Sequence, residues 1–162
     1  MEEEKLMEDV FSKIKEMKAN EFPVREVPII NEDTGCIELL DKLLEEDSPV
    51  AIVMDDEDKF MGILTIKNLL SLLKPRKTDI SDILSRTHVL SCITAFDLVK
   101  RDLPLVKDDD NIERIAGLMD KYDTIFLPRC RERKGKIEGM IFLTDIIHTL
   151  KDNWVGACLD ED

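Results

Sequence analysis

Aromatic residues are scarce in this sequence: one Trp, one Tyr and six Phe, 5% of the total. Hydrophobic residues still reach 43%, so the core must be built from Ile, Leu, Val and Met. Histidine is limited to His88 and His148, and neither stands close to any of the four cysteines. Cys36, Cys92, Cys130 and Cys158 lie 56, 38 and 28 residues apart, with no CxxC pair. Zinc sites and disulfide frameworks need tighter spacing, so the cysteines read as free, buried thiols in a reducing compartment. The six glycines never come closer than four residues. That spacing rules out a GxG loop, and no P-loop or GxSxG elbow occurs. Nothing in these patterns supports catalysis, and the chain reads as non-enzymatic.

Long apolar runs are missing too. None approaches the roughly 18 residues that cross a bilayer. The start, Met1-Glu2-Glu3-Glu4, is acidic where a secretory signal is basic and then apolar. The expectation is a soluble cytoplasmic protein. Its net charge of −13 opposes phosphate contacts and therefore nucleic-acid binding. One basic island interrupts this balance: Arg129, Arg131, Arg133, Lys134 and Lys136 fall within eight residues, offset by Glu132. It reads either as a solvated hairpin turn or as a phosphate contact. The acidic runs Asp108-Asp109-Asp110 and Asp55-Asp56-Glu57-Asp58 lack the alternation and glycine of a calcium loop, so no metal is expected.

What the sequence does contain is a repeat. Gly62–Lys74 aligns with Gly139–Lys151 at an offset of 77, with three identities in thirteen positions and agreement at nearly every apolar one. Ile37-Glu38 aligns with Ile112-Glu113, Leu43-Leu44 with Leu118-Met119, and Val50-Ala51-Ile52 with Ile125-Phe126-Leu127, all at 75. Pro28-Ile29-Ile30 aligns with Pro104-Leu105-Val106 at 76. Matched blocks in one order make a repeat rather than a coincidence.

Each unit reads strand, helix, strand, strand, helix. The first strand covers 28–30 or 104–106, and an amphipathic helix covers 36–46 or 111–121. Ile37, Leu40, Leu43 and Leu44 are expected on the buried face of one helix, and Ile112, Ile115, Ala116 and Met119 on that of the other. The acidic runs before them suit helix starts. A hairpin follows, 50–54 with 60–64 and 124–128 with 137–141, then a helix over 66–73 or 143–151. Residues 3–19 form a further amphipathic helix carrying Leu6, Val10, Ile14 and Met17, and short helical pieces are expected at 80–84 and 95–99. The domain reading is an N-terminal helix at 1–21, repeats at 22–78 and 95–153, a linker at 79–94 and a tail at 154–162. Units of ~60 residues bury only about 60% of their unfolded surface, so the two are expected to pack sheet to sheet with pseudo-twofold symmetry. The fold class is α/β (α+β).

This order of elements, with Gly-x-x-Thr/Ser-x-x-Asp at the junction of the last strand and last helix, resembles the CBS domain, named for cystathionine β-synthase. The resemblance covers residues 22–74 and 95–151. It implies a pseudo-symmetric pair whose cleft commonly holds AMP, ADP, ATP or S-adenosylmethionine, a hydroxyl reaching phosphate and a carboxylate reaching the ribose. It also implies a homodimer and, for an isolated pair, a separate effector protein. No cofactor is required. Each copy of the motif departs from the pattern. Gly62-Ile-Leu-Thr65-Ile-Lys-Asn68 keeps the hydroxyl and replaces the carboxylate with an amide. Gly139-Met-Ile-Phe142-Leu-Thr-Asp145 keeps the carboxylate and loses the hydroxyl. Pro128, aligned with Val53, also belongs to the second copy, and Arg129 and Arg131 follow it on one face of a strand.

The favoured site is therefore at Asp145, with Phe142, Pro128, Arg129 and Arg131 beside it, and Thr65 with Asn68 as the weaker counterpart. Asp145 also fits a carboxylate that complements a helix dipole, and Phe142 fits either an adenine-stacking ring or a core side chain. Two functions stand: a sensor of an adenosine-containing ligand, or a scaffold for dimerisation whose nucleotide sites have decayed.

Overall fold

The computed structural model describes residues 2–73, 92–131 and 136–159. In chain order its elements are α1 (Glu2–Glu16), β1 (Ile29–Asn31), α2 (Cys36–Glu45), β2 (Val50–Met54), β3 (Phe60–Thr65), α3 (Ile66–Leu73), α4 (Ala95–Leu98), α5 (Ile112–Lys121), β4 (Phe126–Cys130), β5 (Ile137–Phe142) and α6 (Leu143–Leu159). They form two compact units: a first-repeat unit, Val27–Leu103, and a second-repeat unit in which Met1–Glu26 joins Pro104–Asp162. The helical piece expected at 80–84, the Arg133-Lys134 pair of the basic island and His88 lie outside the described residues.

In the first-repeat unit β1 runs parallel to β2, and β2 antiparallel to β3. The second-repeat unit keeps the antiparallel β4–β5 pair, but the strand expected at 104–106 shrinks to a single parallel bridge between Val106 and Arg129. Proline accounts for the loss. In the first-repeat unit the Ile52 amide donates to the Pro28 carbonyl (2.9 Å). The position equivalent to Ile52 is Pro128, which has no N–H to donate.

Helix α2 buries Cys36, Leu39 and Leu43, whereas Ile37 is 66% and Leu44 75% exposed. Leu43 is buried as expected and Leu40 packs half-buried against the core, but Ile37 and Leu44 place the expected face one residue off the observed one. The slip shows against α5, which buries Ile112, Ile115 and Met119, corresponding to Cys36, Leu39 and Leu43 at an offset of 76. One residue of slip turns a helix by about 100°. The apolar arc of α2 is wide enough that both faces look greasy. Ala116, expected in the core, is exposed. Burial pushes the Cys36 thiol up, while Cys92 is exposed rather than buried as expected.

The same offset of 76 recurs in backbone detail. Both α2 and α5 end in a Schellman motif, with Ser48 N bonded to Leu43 O (2.9 Å) and Thr124 N to Met119 O (3.0 Å). Asp47 and Asp123 take the left-handed position, at φ 47° and 46°. Each hairpin bulges once, at Val53/Met54 and at Arg129/Cys130.

The repeat also begins earlier than its apolar blocks suggest. Ala95 N bonds Thr34 O (2.9 Å) and Cys36 N bonds Ile93 O (3.0 Å); 76 residues away, Ala19 N bonds Asp110 O (2.8 Å) and Ile112 N bonds Met17 O (2.8 Å). Each leader then runs along the last strand of its unit. Lys100 pairs with Ile63, and Arg25 with Met140. Glycine makes the approach feasible. A Cβ on Gly62 would stand 2.2 Å from the Lys100 carbonyl oxygen, and one on Gly139 would stand 2.4 Å from that of Arg25. Residues 17–26, which precede the first repeat in the chain, thus complete the sheet and core of the second-repeat unit. Ala19 and Phe22 join Ile115, Leu127, Ile141 and Ile146 in that core.

Helix α6 runs to Leu159, beyond the expected end at 151. Trp154 in its added turns meets Phe11 of α1 edge to face, ring centres 5.4 Å apart, which ties the N-terminal helix to the end of α6.

Two stability predictions follow from the packing. Leu39→Ala should cost about 2–5 kcal/mol and Leu44→Ala less than about 0.5 kcal/mol in urea denaturation; equal costs would mean that the buried face of α2 is misassigned. Gly139→Ala should cost about 1–3 kcal/mol or more, because the obstacle is backbone and cannot rotate away. A neutral Gly139→Ala would show that the leader does not lie against β5.

Candidate functional site

The strand-to-helix junction is built differently in the two units. In the first-repeat unit Thr65 ends β3 and Asn68 lies in the first turn of α3. The Asn68 Oδ1 accepts from the Thr65 backbone N–H (2.9 Å) and hydroxyl (2.7 Å), and the Thr65 Oγ1 accepts from the Asn68 N–H (3.3 Å). This is a reciprocal helix cap with Asn in the place usually held by Glu or Gln. Both groups named as ligand contacts therefore satisfy the start of their own helix.

In the second-repeat unit the equivalent cap is absent, because Phe142 has no hydroxyl. Asp145 lies in the first turn of α6 and pairs with a distant side chain instead. Its Oδ2 accepts from the Arg25 Nε (2.7 Å) and its Oδ1 from the Arg25 NH2 group (2.5 Å). The carboxylate thus receives a planar, two-pronged donor, the strongest geometry for such a pair. The Asp145 side chain is 12% exposed and that of Arg25 49%. Hydrogen bonding to Asp145 raises the Arg25 guanidinium above its usual value, against a lowering by burial. The same guanidinium lies over the Phe142 ring, 4.5 Å from its centre. Phe142 is 5% exposed and meets Phe126 in an edge contact, centres 4.8 Å apart. As it stands, Phe142 is a core side chain with a cation on one face.

The two arginines of the basic island have their own partners. Arg129 is buried and donates through Nε (3.0 Å) and NH2 (2.8 Å) to Asp108 Oδ1. It also lies 3.7 Å from Glu138, which pairs with Arg131 at 2.5 Å. The expected common face of the two arginines is visible in that shared carboxylate. Pro128 lies inside β4 opposite Met140, at the position of Ile52 rather than of Val53. Among the described residues no three His, Cys, Asp or Glu side chains are grouped to hold a metal ion. Among the described residues no helix is long and apolar enough to cross a membrane.

Sequence reasoning missed Arg25. It stands 120 residues from Asp145, and no local spacing links them. The available signal was the match of Val24-Arg25 with Val99-Lys100, two leaders each carrying a cation after a valine.

The CBS domain family model matches residues 19–75 and 95–152; its starts coincide with Ala19 and Ala95, where the leaders enter their units. A comparison with curated proteins found no match. Among solved structures, the CBS domain of a CBS domain-containing membrane protein from Sphaerobacter thermophilus is 16% identical, covering 90% of this chain and 95% of its own, with a TM-score of 0.71. A CBS-pair protein from Arabidopsis thaliana is 18% identical over 83% of this chain and 94% of its own (TM-score 0.66). The CBS domain of a bacterial CNNM/CorC family Mg2+ transporter is 16% identical over 91% and 82% (TM-score 0.65). At these identities the neighbours establish the fold alone. The family model covers both repeats and most of the chain, and the protein belongs to the CBS domain family as a tandem pair.

Proposed function

We propose that this CBS pair is a non-catalytic, cytoplasmic regulatory module that binds one adenosine-containing ligand per chain, at Asp145. CBS pairs are typically regulatory rather than catalytic and commonly bind ligands. The observation that carries the finer reading is the fork on Asp145: a nearly buried carboxylate presents both oxygens to a planar pair of donors. Two neighbouring ribose hydroxyls are also a pair of donors, and a carboxylate accepts from both where an amide cannot. The Leu143 amide at the start of α6 donates to the Ile125 carbonyl (2.9 Å), and the next amides of that turn suit an anion beside the ribose. In the first-repeat unit the corresponding Asn68 oxygen is consumed by Thr65, so that copy supplies no second ribose contact. Binding of the ligand would favour one packing of the pair and signal through a homodimer or a separate effector protein.

A second reading, a scaffold for self-association, is favoured by the exposure of Ile37, Leu44, Ile66 and Leu70 on α2 and α3. It shares the fold and differs in having no ligand.

Thermal melting with AMP, ADP, ATP, S-adenosylmethionine and adenosine separates the two. A ligand at 100 times Kd that binds the folded state alone adds about 2.7 kcal/mol, worth about 2–4 °C per kcal/mol at this size. The ligand-induced shift should vanish in Asp145→Ala and persist in Asn68→Ala. No shift with any of the five ligands at millimolar concentration would leave the scaffold as the function. Calorimetric titration should give one ligand per chain; two would contradict the assignment of Asn68 to its helix cap.

A further inference from the structure

The ion pair on Asp145 constrains which ligands can enter. With its side chain only 12% exposed, the carboxylate offers little access beyond the side that the Arg25 guanidinium fills. Ribose hydroxyls must therefore take their positions from that guanidinium. Displacing it costs a charge-assisted pair and leaves a cation without its anion. The ligand has to supply a replacement. Arg25 is free to accept one, because half of its side chain is exposed (49%) and its stem is long and rotatable. The other two arginines of this unit discussed above are poorer candidates. Arg129 is held by Asp108 and Glu138, and Arg131 by Glu138.

We propose that Arg25 determines the specificity of the site by exchanging Asp145 for a ligand phosphate, so that phosphorylated adenosine ligands bind and adenosine itself is rejected. The inference rests on the reading of Asp145 as the ribose contact. The guanidinium fork that fits a carboxylate also fits a phosphate. AMP thus restores the pair that its ribose breaks, whereas adenosine breaks it and restores nothing. Phe142 loses the guanidinium from its face in the same exchange, which opens an aromatic surface beside the ribose position.

Calorimetric titration of AMP and adenosine into wild type, Arg25→Ala, Arg25→Lys and Asp145→Ala tests this, with circular dichroism to verify that each variant is folded. Wild type should prefer AMP over adenosine by about tenfold or more, each tenfold being about 1.4 kcal/mol. In Arg25→Ala the preference should fall towards unity, with AMP weakened and adenosine no weaker than in wild type. Arg25→Lys, which keeps the charge and loses the fork, should fall between them. An AMP preference unchanged in both Arg25 variants, with binding lost in Asp145→Ala, would overturn the role of Arg25 and leave the site standing. Absence of binding by all four proteins would overturn both.

Discussion

Everything at the candidate site depends on one close backbone approach, that of residues 24–25 to Gly139 on β5. The two segments exchange both hydrogen bonds, Arg25 N to Met140 O and Met140 N to Arg25 O, each 2.9 Å. A side chain at 139 would collide with the Arg25 carbonyl. This contact fixes where the leader lies, brings Arg25 to Asp145 across 120 residues of sequence, and seats Ala19 and Phe22 in the core. It also explains why the structural units differ from the sequence repeats. The first-repeat unit takes its leader from the residues that follow it and stays contiguous, Val27–Leu103, whereas the second-repeat unit takes its leader from the start of the chain.

The two repeats share a skeleton and have diverged at the junction between last strand and last helix. Hairpin bulges, Schellman ends and leader bonds recur at a constant offset, because each is a backbone solution that many side chains satisfy. The strand-to-helix junction has no such tolerance. Thr65 with Asn68 closes into a helix cap. Replacing the hydroxyl by Phe142 breaks that closure, and Asp145 becomes available to a distant partner. The loss of a hydroxyl in one repeat and of a carboxylate in the other therefore leaves one self-contained cap and one carboxylate paired with a distant arginine.

Much of the fold was legible because strands and helices repeat their apolar periods twice in the same order. Hairpins at 50–65 and 126–142 were recognisable from their alternation and turn residues. The buried face of α2 was not, since Cys36 competes poorly with Ile37 in any apolar count and the aliphatic arc is broad. The strand at 104–106 was overestimated because apolarity reports burial, while the ladder needs an N–H that Pro128 lacks. Asp145 was legible as a candidate from the repeated motif. Its partner Arg25 was not, because long-range pairing leaves no spacing to read. The role of the leaders is written mainly in backbone hydrogen bonds.

The central claim is that Asp145 is a ribose-binding carboxylate whose built-in partner is displaced by a ligand phosphate. A crystal structure of the chain with AMP tests it most directly. Both ribose hydroxyls should lie on the Asp145 oxygens, with the Arg25 guanidinium moved onto the phosphate. An intact Arg25–Asp145 pair with AMP bound elsewhere would contradict it.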